Sequence, residues 1–273
     1  MTSILSYQFF QNALWASLFT AIVCGLVGSY IVVRRMVFIS GGITHASFGG
    51  LGLGLYLGFD PMLGAGAFAV LSALGIAKAS ETETIREDSA IAGVWSLGMA
   101  LGVLFMTLTP GYSTNLASYL FGNILLVTTQ DLIALALMAL LMTIAFVVFY
   151  RPILYTAFDP DFARTKGVRV KLIETLMFIA IAIGIVLSIR LVGIMLLMSL
   201  LTLPQTIMNL YTYSFRKMLV GSVIIALCAC VAGLLGSYYW GLPSGAFIIL
   251  VLVTLFIFAK VGTSLRHFKV KTI

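Results

Sequence analysis

The stretch IILVLVTLFIFA at residues 248–259 contains no charged side chain, and all of its residues except Thr254 are apolar. Strands of a transmembrane barrel alternate apolar with polar residues, whereas a membrane-spanning helix is continuously apolar. The stretch lies in an apolar run from 244 to 262, whose length is close to the ~20 residues that a helix needs to cross hydrocarbon. It therefore predicts a transmembrane helix.

The rest of the chain repeats this pattern. Of its 273 residues, 61% are hydrophobic and 9% are charged, whereas soluble domains carry about 25% charged residues. Nine apolar runs follow one another, at about 10–33, 43–59, 61–79, 91–109, 130–150, 172–189, 192–212, 219–239 and 244–262. Asp60 and Pro61 join two short runs and Pro204 interrupts another, so one of these runs can be a half-span. We predict an all-α integral membrane protein, a single domain over 1–273 with eight or nine transmembrane helices.

The basic residues predict the orientation of this bundle. If all nine runs cross, Arg190 lies alone on one side, and five groups share the other: Arg34 and Arg35; Lys78 and Arg86; Arg151, Arg164, Lys166, Arg169 and Lys171; Arg216 and Lys217; Lys260, Arg266, Lys269 and Lys271. Loops rich in lysine and arginine stay in the cytoplasm, which predicts a cytoplasmic C-terminus and an external N-terminus. The same bias explains the net charge of +7 without a nucleic-acid partner.

A polar stretch, RPILYTAFDPDFARTKGVRVK at 151–171, separates two runs on the cytoplasmic side. Asp159 is a typical N-cap, Pro160 suits the first helical position, and Asp161 is favourable in the first turn. Gly167 can end the helix. The stretch predicts a helix of about two turns outside the membrane core; the alternative is a plain connecting loop.

The second run contains GGITHASFGGLGLGLYLG at 41–58. Small residues recur in it every four positions and so share one helical face: Gly42, Ala46, Gly50, Gly54 and Gly58. Small residues at this spacing let a neighbouring helix approach closely in lipid. We predict a central helix whose glycines serve packing and touch no substrate.

Six segments, in this order, resemble the permease subunits of the ABC-3 family of bacterial importers for zinc, manganese or iron. They are Gly28–Gly54, Arg86–Phe105, Ser118–Val127, Phe158–Val168, Val192–Thr206 and Leu242–Val251. The resemblance implies a bundle of the type II importer kind in the bacterial inner membrane. It further implies a second permease subunit, two cytoplasmic ATPase subunits, and an extracytoplasmic solute-binding protein that delivers the metal.

Residues 158–168 resemble the family's coupling helix, which fits a groove on the ATPase. Phe162 and Ala163 are predicted to be available for that contact. The sequence contains no G-x-x-x-x-G-K-[ST] phosphate loop, so ATP hydrolysis is expected from a partner rather than from this chain.

A bare divalent cation cannot enter hydrocarbon without ligands or water. His45 is the one histidine inside the apolar runs, which lack a mid-membrane carboxylate. We therefore predict transient contact of the metal with His45, with Thr44 and Ser47 as weaker oxygen ligands. Many members of the resembling family carry an acidic residue four positions before this histidine, where this chain has Gly41.

Other polar residues lie at the ends of the runs. Asp88 either caps the fourth run or helps metal leave on the cytoplasmic side. Asn115 and Asn123 flank SYLFGN on the external side and are candidate gate residues. Glu174 is expected to pair with Lys171 across one turn.

Other function classes remain as alternatives. A permease for a metal chelate or vitamin B12 would usually be longer, and a carrier driven by an ion gradient would place acidic residues or broken helices near the midplane. A membrane enzyme would need a constellation such as H-E-x-x-H, which the sequence lacks. The sequence does not select the metal; zinc and manganese lead, followed by iron.

Overall fold

The computed structural model describes residues 7–80, 86–110, 122, 124 and 127–271. Its regular elements in these ranges are all helical. They are α1 (Gln8–Val33), α2 (Val37–Leu57), α3 (Pro61–Ser80), α4 (Glu87–Leu108), α5 (Thr129–Val148), α6 (Tyr150–Phe158), α7 (Pro160–Thr165), α8 (Val170–Tyr211), α9 (Phe215–Trp240) and α10 (Ser244–Lys271).

Helix α8 is broken in the middle at Gly193, whose φ of 74° and ψ of 167° are not helical. The helix contains a first arm, Val170–Ile189, and a second arm, Leu191–Tyr211, which includes the break near its start; each arm is long enough to cross a membrane. Glycine is suited to this position because a Cβ strains a backbone with positive φ. Gly122, with φ of 61°, packs against this break so closely that a Cβ on it would overlap the backbone of Val192 and Gly193.

The two arms of α8 are antiparallel. Glu174, near the start of the first arm, contacts Arg34 at the end of α1. Thr212, directly after the second arm, lines a cavity together with the same Arg34. Both ends of α8 therefore lie at one end of the bundle, and α8 contributes two spans.

Pro204 does not interrupt its span, although the sequence suggested that it might. As a proline it cannot donate a backbone hydrogen bond to the carbonyl of Leu200. The side-chain Nε2 of Gln205 donates to that carbonyl instead, over 3.2 Å, and also to the carbonyl of Cys24 in α1, over 2.7 Å. Gly28 leaves the space for this amide, since a Cβ there would overlap Gln205. One buried side chain thus replaces the missing bond and joins two spans.

Eight helices or arms in the described part are long and apolar enough to cross a membrane. Helix α2, with its many glycines, is not among them, but its 21 residues reach about 31 Å at 1.5 Å per residue. That length matches a hydrocarbon core of about 30 Å. With α2 counted by its length, the described part has nine helices or arms that are long enough to span, within the predicted range of eight or nine.

One face of α2 touches α3 backbone to backbone. Gly50 and Gly64 approach so closely that a Cβ on either would overlap the carbonyl oxygen of the other. One turn further on, a Cβ on Gly54 would lie 2.7 Å from the Cα of Pro61. Such contact lets the two helices pack without side chains between them.

A second glycine face of α2, which the spacing of four did not reveal, meets α4. A Cβ on Gly49 would lie 2.9 Å from the carbonyl oxygen of Gly98, and one on Gly52 would lie 2.6 Å from that of Gly102. Gly98 also packs on the backbone of Ala46. Helix α2 is therefore clasped by α3 and α4 on two sides.

The two ends of the predicted small-residue face behave differently. Gly42 packs against Ile91 of α4, where a Cβ would lie 2.8 Å from Cγ2. Gly58 departs from the predicted packing role: it ends α2 with φ of 74°, and a Cβ there would meet nothing within 4 Å. Its part is to terminate the helix, which a left-handed glycine commonly does.

Three of the five predicted basic groups lie together at one end of the bundle. A cavity of about 400 Å³ is lined by Arg34, Arg164 and Lys171, together with Ala77 beside Lys78. We call this the basic end.

Candidate functional site

His45 lies on α2 and rests against α4. Its imidazole stacks on the indole of Trp95 with ring centroids 4.1 Å apart and planes inclined by 12°. Its Nδ1 lies 3.4 Å from the sulfur of Met99, one turn further along α4. The histidine is partly buried, so the ring is held on one side and accessible on another.

Thr44 and Ser47, the predicted oxygen ligands, are fully buried. The Thr44 hydroxyl donates to the carbonyl of Ser40, and that of Ser47 donates to the carbonyl of Ile43 over 2.8 Å. Residues on a helix are about 100° apart, so Ser47 points about 200° away from His45. The structure does not bring these hydroxyls to the accessible side of His45.

At Gly41, one turn before His45, side chains from other helices occupy the space that a side chain at this position would need. A Cβ on Gly41 would lie 2.9 Å from the Trp95 ring and 2.9 Å from the terminal methyl of Met198 in α8. A carboxylate could enter this position only if both neighbours moved. No group of three or more His, Cys, Asp or Glu that could hold a metal occurs among the described residues.

Asp88 lies in the first turn of α4, at the basic end. Its side chain is 75% exposed and lies 3.8 Å from Arg86. Arg86 is the N-cap residue and makes no side-chain capping bond, so the capping role considered for Asp88 is not what the structure shows. Asp88 precedes Trp95 by seven residues, about 10 Å along the axis on the same face of α4.

The predicted helix in the polar stretch is α7. Asp159 caps it by accepting hydrogen bonds from the backbone N–H groups of Asp161, at 3.1 Å, and Phe162, at 2.9 Å. Asp161 also pairs with Arg164 at 2.6 Å. Gly167 follows with φ of 74°, and a Cβ there would meet nothing within 4 Å.

The two residues predicted to face a partner differ in exposure. Phe162 is 44% exposed, and Tyr155 packs on it edge to face with centroids 5.4 Å apart. Ala163 is fully buried against its own chain and is not available to a partner, contrary to prediction. The alanine is small enough for α7 to sit tightly on the bundle, and this leaves Phe162 on the outer side.

Arg34 forms a connection that sequence reasoning missed. Its guanidinium lies 2.6 Å from the carboxylate of Glu174 in α8 and donates to the carbonyl of Thr156 in α6 over 3.1 Å. Glu174 was expected to pair locally with Lys171; the 2.6 Å ion pair that it forms with Arg34 reaches across 140 residues. The one sequence signal for this ion pair is that Arg34 and Glu174 carry opposite charges and each lies at the end of a span.

A cavity of about 590 Å³ opens at the basic end beside α7. Its lining includes Arg34, Arg35, Phe158, Pro160 and Tyr213. Tyr213, in the turn between α8 and α9, is fully exposed. The candidate gate residues Asn115 and Asn123 lie outside the described residues.

These spans, with a short capped helix between two of them, define a multi-pass membrane protein. Residues 6–262 match the profile of the ABC 3 transport family, and the chain belongs to that family.

The chain aligns with its relatives over nearly its whole length. It is 40% identical over 251 residues to the uncharacterized membrane protein slr2045 of Synechocystis, covering 92% of this chain and 89% of that protein. It is 32% identical over 273 residues to the manganese transport system membrane protein MntC of Halalkalibacterium halodurans, covering 98% and 94%. The fold matches a chain of PsaBC from Streptococcus pneumoniae, solved in complex with Fab, with a TM-score of 0.84, 29% identity and coverage of 94% and 93%.

Proposed function

We propose that this chain is the membrane-spanning permease subunit of an ATP-binding-cassette importer that carries a divalent metal ion into the cytoplasm. The observation that carries the proposal is α7: a capped helix outside the spans, anchored by buried Ala163 and presenting Phe162 outward. The family and the name of the manganese relative support the same function.

In this proposal α7 is the coupling helix, through which the permease contacts the ATPase. The complex contains two cytoplasmic ATPase subunits. Asp159 and Asp161 hold the first turn of α7, and Gly167 allows the chain to leave it sharply. Arg34 joins the preceding helix α6 to α1 and α8. A displacement of α7 is thereby transmitted to the spans through packed atoms rather than through a loose loop.

The cargo passes as a transiently bound ion. Imidazole suits several first-row metals, and His45 is partly accessible within a bundle otherwise poor in ligands. Asp88, exposed on the same face of α4 nearer the basic end, is the exit contact. Manganese and zinc are the leading cargoes, with iron behind; tight capture belongs to an extracytoplasmic solute-binding protein.

The complex lies in the bacterial inner membrane. The basic end faces the cytoplasm, because lysine and arginine are retained on that side. The C-terminus, at the end of α10, is therefore cytoplasmic. A second permease subunit, a copy of this chain, completes the pathway.

The first experiment tests the docking helix. Phe162→Asp should abolish co-purification of the ATPase subunit, because it places a charge where an apolar contact is needed. Tyr239→Asp is the matched control. Tyr239 is also an exposed aromatic residue, at 57%, but it lies at the end of α9 away from the basic end, so this variant should retain the ATPase. Retention by both variants would remove α7 from the proposed interface.

The second experiment tests transport. Vesicles that carry the permease with the ATPase on the inner side, and that have the binding protein outside, should take up Mn²⁺ or Zn²⁺ only when ATP is present inside. His45→Ala should lower uptake while the complex still assembles. Concentrative uptake by the permease alone would contradict the proposed importer.

A further inference from the structure

We infer that Met99 and Trp95 are positioning residues for transport: they fix the His45 imidazole so that its Nε2 atom receives the passing cation. The inference rests on the proposed metal contact of His45. It concerns two residues of α4 that are neither charged nor obvious metal ligands.

The contact with Met99 decides which ring nitrogen carries the proton. A thioether sulfur has no hydrogen and can only accept a hydrogen bond. At 3.4 Å from the Met99 sulfur, Nδ1 is favoured as the protonated nitrogen, because a lone pair there would face the lone pairs of sulfur. In the neutral imidazole the other nitrogen, Nε2, then carries the lone pair that can bind a metal.

The contact with Trp95 decides the plane of the ring. The two rings are stacked nearly parallel, at 4.1 Å and 12°, so rotation of the imidazole about its own axis would break the stack. The same indole covers Gly41, where a Cβ would lie 2.9 Å from it. A residue without a side chain at 41 therefore permits the stacking.

Together the two contacts leave one nitrogen free. In the described part of the chain, the only polar contact of the His45 side chain is the one between Nδ1 and Met99. Metal-binding histidines commonly donate their other N–H to an acceptor that fixes tautomer and orientation, and loss of such an acceptor costs about 10–100-fold in affinity or activity. A neutral sulfur is a weak acceptor, which suits a contact that must release its ion.

Simple packing is the competing explanation, and Met106 allows it to be separated. Met106 lies seven residues after Met99, on the same face of α4, and is 7% exposed. Leucine retains the apolar character and nearly the volume of methionine. Met99→Leu and Met106→Leu are therefore the same change on the same helix, and only the first removes an acceptor from His45.

The measurement is the initial rate of Mn²⁺ and Zn²⁺ uptake by the vesicle complex, normalised to assembled permease. We expect Met99→Leu to lower the rate about 10-fold, Met106→Leu to stay within about twofold, and Met99→Gln, whose amide oxygen accepts, to recover much of the loss. In a His45→Ala background, Met99→Leu should have no further effect, because its role passes through His45.

The outcomes separate the two proposals. Equal rates for Met99→Leu and Met106→Leu, failure of Met99→Gln to recover, or an additional loss in the His45→Ala background would each overturn the positioning role alone. Normal uptake by His45→Ala would overturn both the metal contact and the positioning role, while ATP-dependent import by this permease would still stand.

Discussion

The guanidinium of Arg34 and the carboxylate of Glu174 lie 2.6 Å apart, with only 19% and 25% of the two side chains exposed. Arg34 follows the last turn of α1, and Glu174 lies in the first turns of α8. The arginine also donates to the carbonyl of Thr156 in α6, the helix that leads into α7. One side chain thus joins two spans to the segment that we propose as the docking element.

Breaking this pair should weaken both stability and coupling. Arg34→Gln removes the guanidinium from a largely buried carboxylate, at a cost of about 1–3 kcal/mol, between the values for exposed and buried pairs. We expect a lower melting temperature of the detergent-solubilised protein and less metal imported per ATP. Arg34→Lys should be intermediate, because an ammonium lacks the planar fork that reaches two acceptors.

Arg151 provides the control for that experiment, since its side chain is exposed on α6 and Arg151→Gln should leave the melting temperature nearly unchanged. The double variant Arg34→Glu, Glu174→Arg restores opposite charges at the two positions, so its melting temperature should be higher than that of Arg34→Gln. A melting temperature for Arg34→Gln equal to that of Arg151→Gln would show that the ion pair contributes nothing measurable.

The glycine contact between α2 and α3 makes a second prediction. Gly64→Ala places a methyl group onto the backbone of Gly50, and backbone atoms cannot move aside as a side-chain end does. The expected destabilisation is about 1–3 kcal/mol or more, visible as loss of monodisperse protein in size-exclusion chromatography. Gly66→Ala, two residues away with nothing within 4 Å of the added carbon, should be tolerated.

If both variants gave normal yield and melting temperature, α2 and α3 would not be in backbone contact. If Gly66→Ala alone were harmful, the face of α3 turned toward α2 would be wrongly assigned.

Local sequence patterns predicted much of this fold. Apolar runs located the spans because a helix in lipid must satisfy its backbone internally and cover its surface with apolar side chains. The α7 cap was equally readable, since Asp159, Pro160 and Asp161 each act within a few residues. Burial of Ala163 was not, because it depends on how α7 lies against helices far away in the chain.

Relations between distant residues escaped prediction for the same reason. His45 and Met99 are 54 residues apart, and no local pattern around either residue predicts their contact. Pro204 misled because its effect was judged without Gln205, whose side chain replaces the lost bond. The separate apolar runs at 172–189 and 192–212 predicted the reversal within α8, but nothing local showed that Gly193, one of many glycines, is the residue with the non-helical backbone.

Gln205 supports a third prediction. Gln205→Leu removes the donor to the carbonyls of Leu200 and Cys24 and leaves both groups with fewer partners inside the bundle, where interhelical side-chain bonds contribute about 0.6–2 kcal/mol. We expect a lower melting temperature. Gln130→Leu, an exposed position at the start of α5, is the control, and equal melting temperatures for the two variants would contradict the proposed bridge.

The cap of α7 makes the last prediction. Asp159→Ala removes the acceptor for the backbone N–H groups of Asp161 and Phe162, which costs about 1 kcal/mol of local helix stability. Because Asn caps a helix about as well as Asp, Asp159→Asn should behave like the unchanged protein. The measurement is the apparent affinity of the purified ATPase subunit for vesicles that contain the permease. Asp159→Ala should bind several-fold more weakly, because part of the binding energy is then used to order α7. Equal weakening by Asp159→Asn would mean that the ATPase contacts the aspartate charge directly, and that the cap is not what matters.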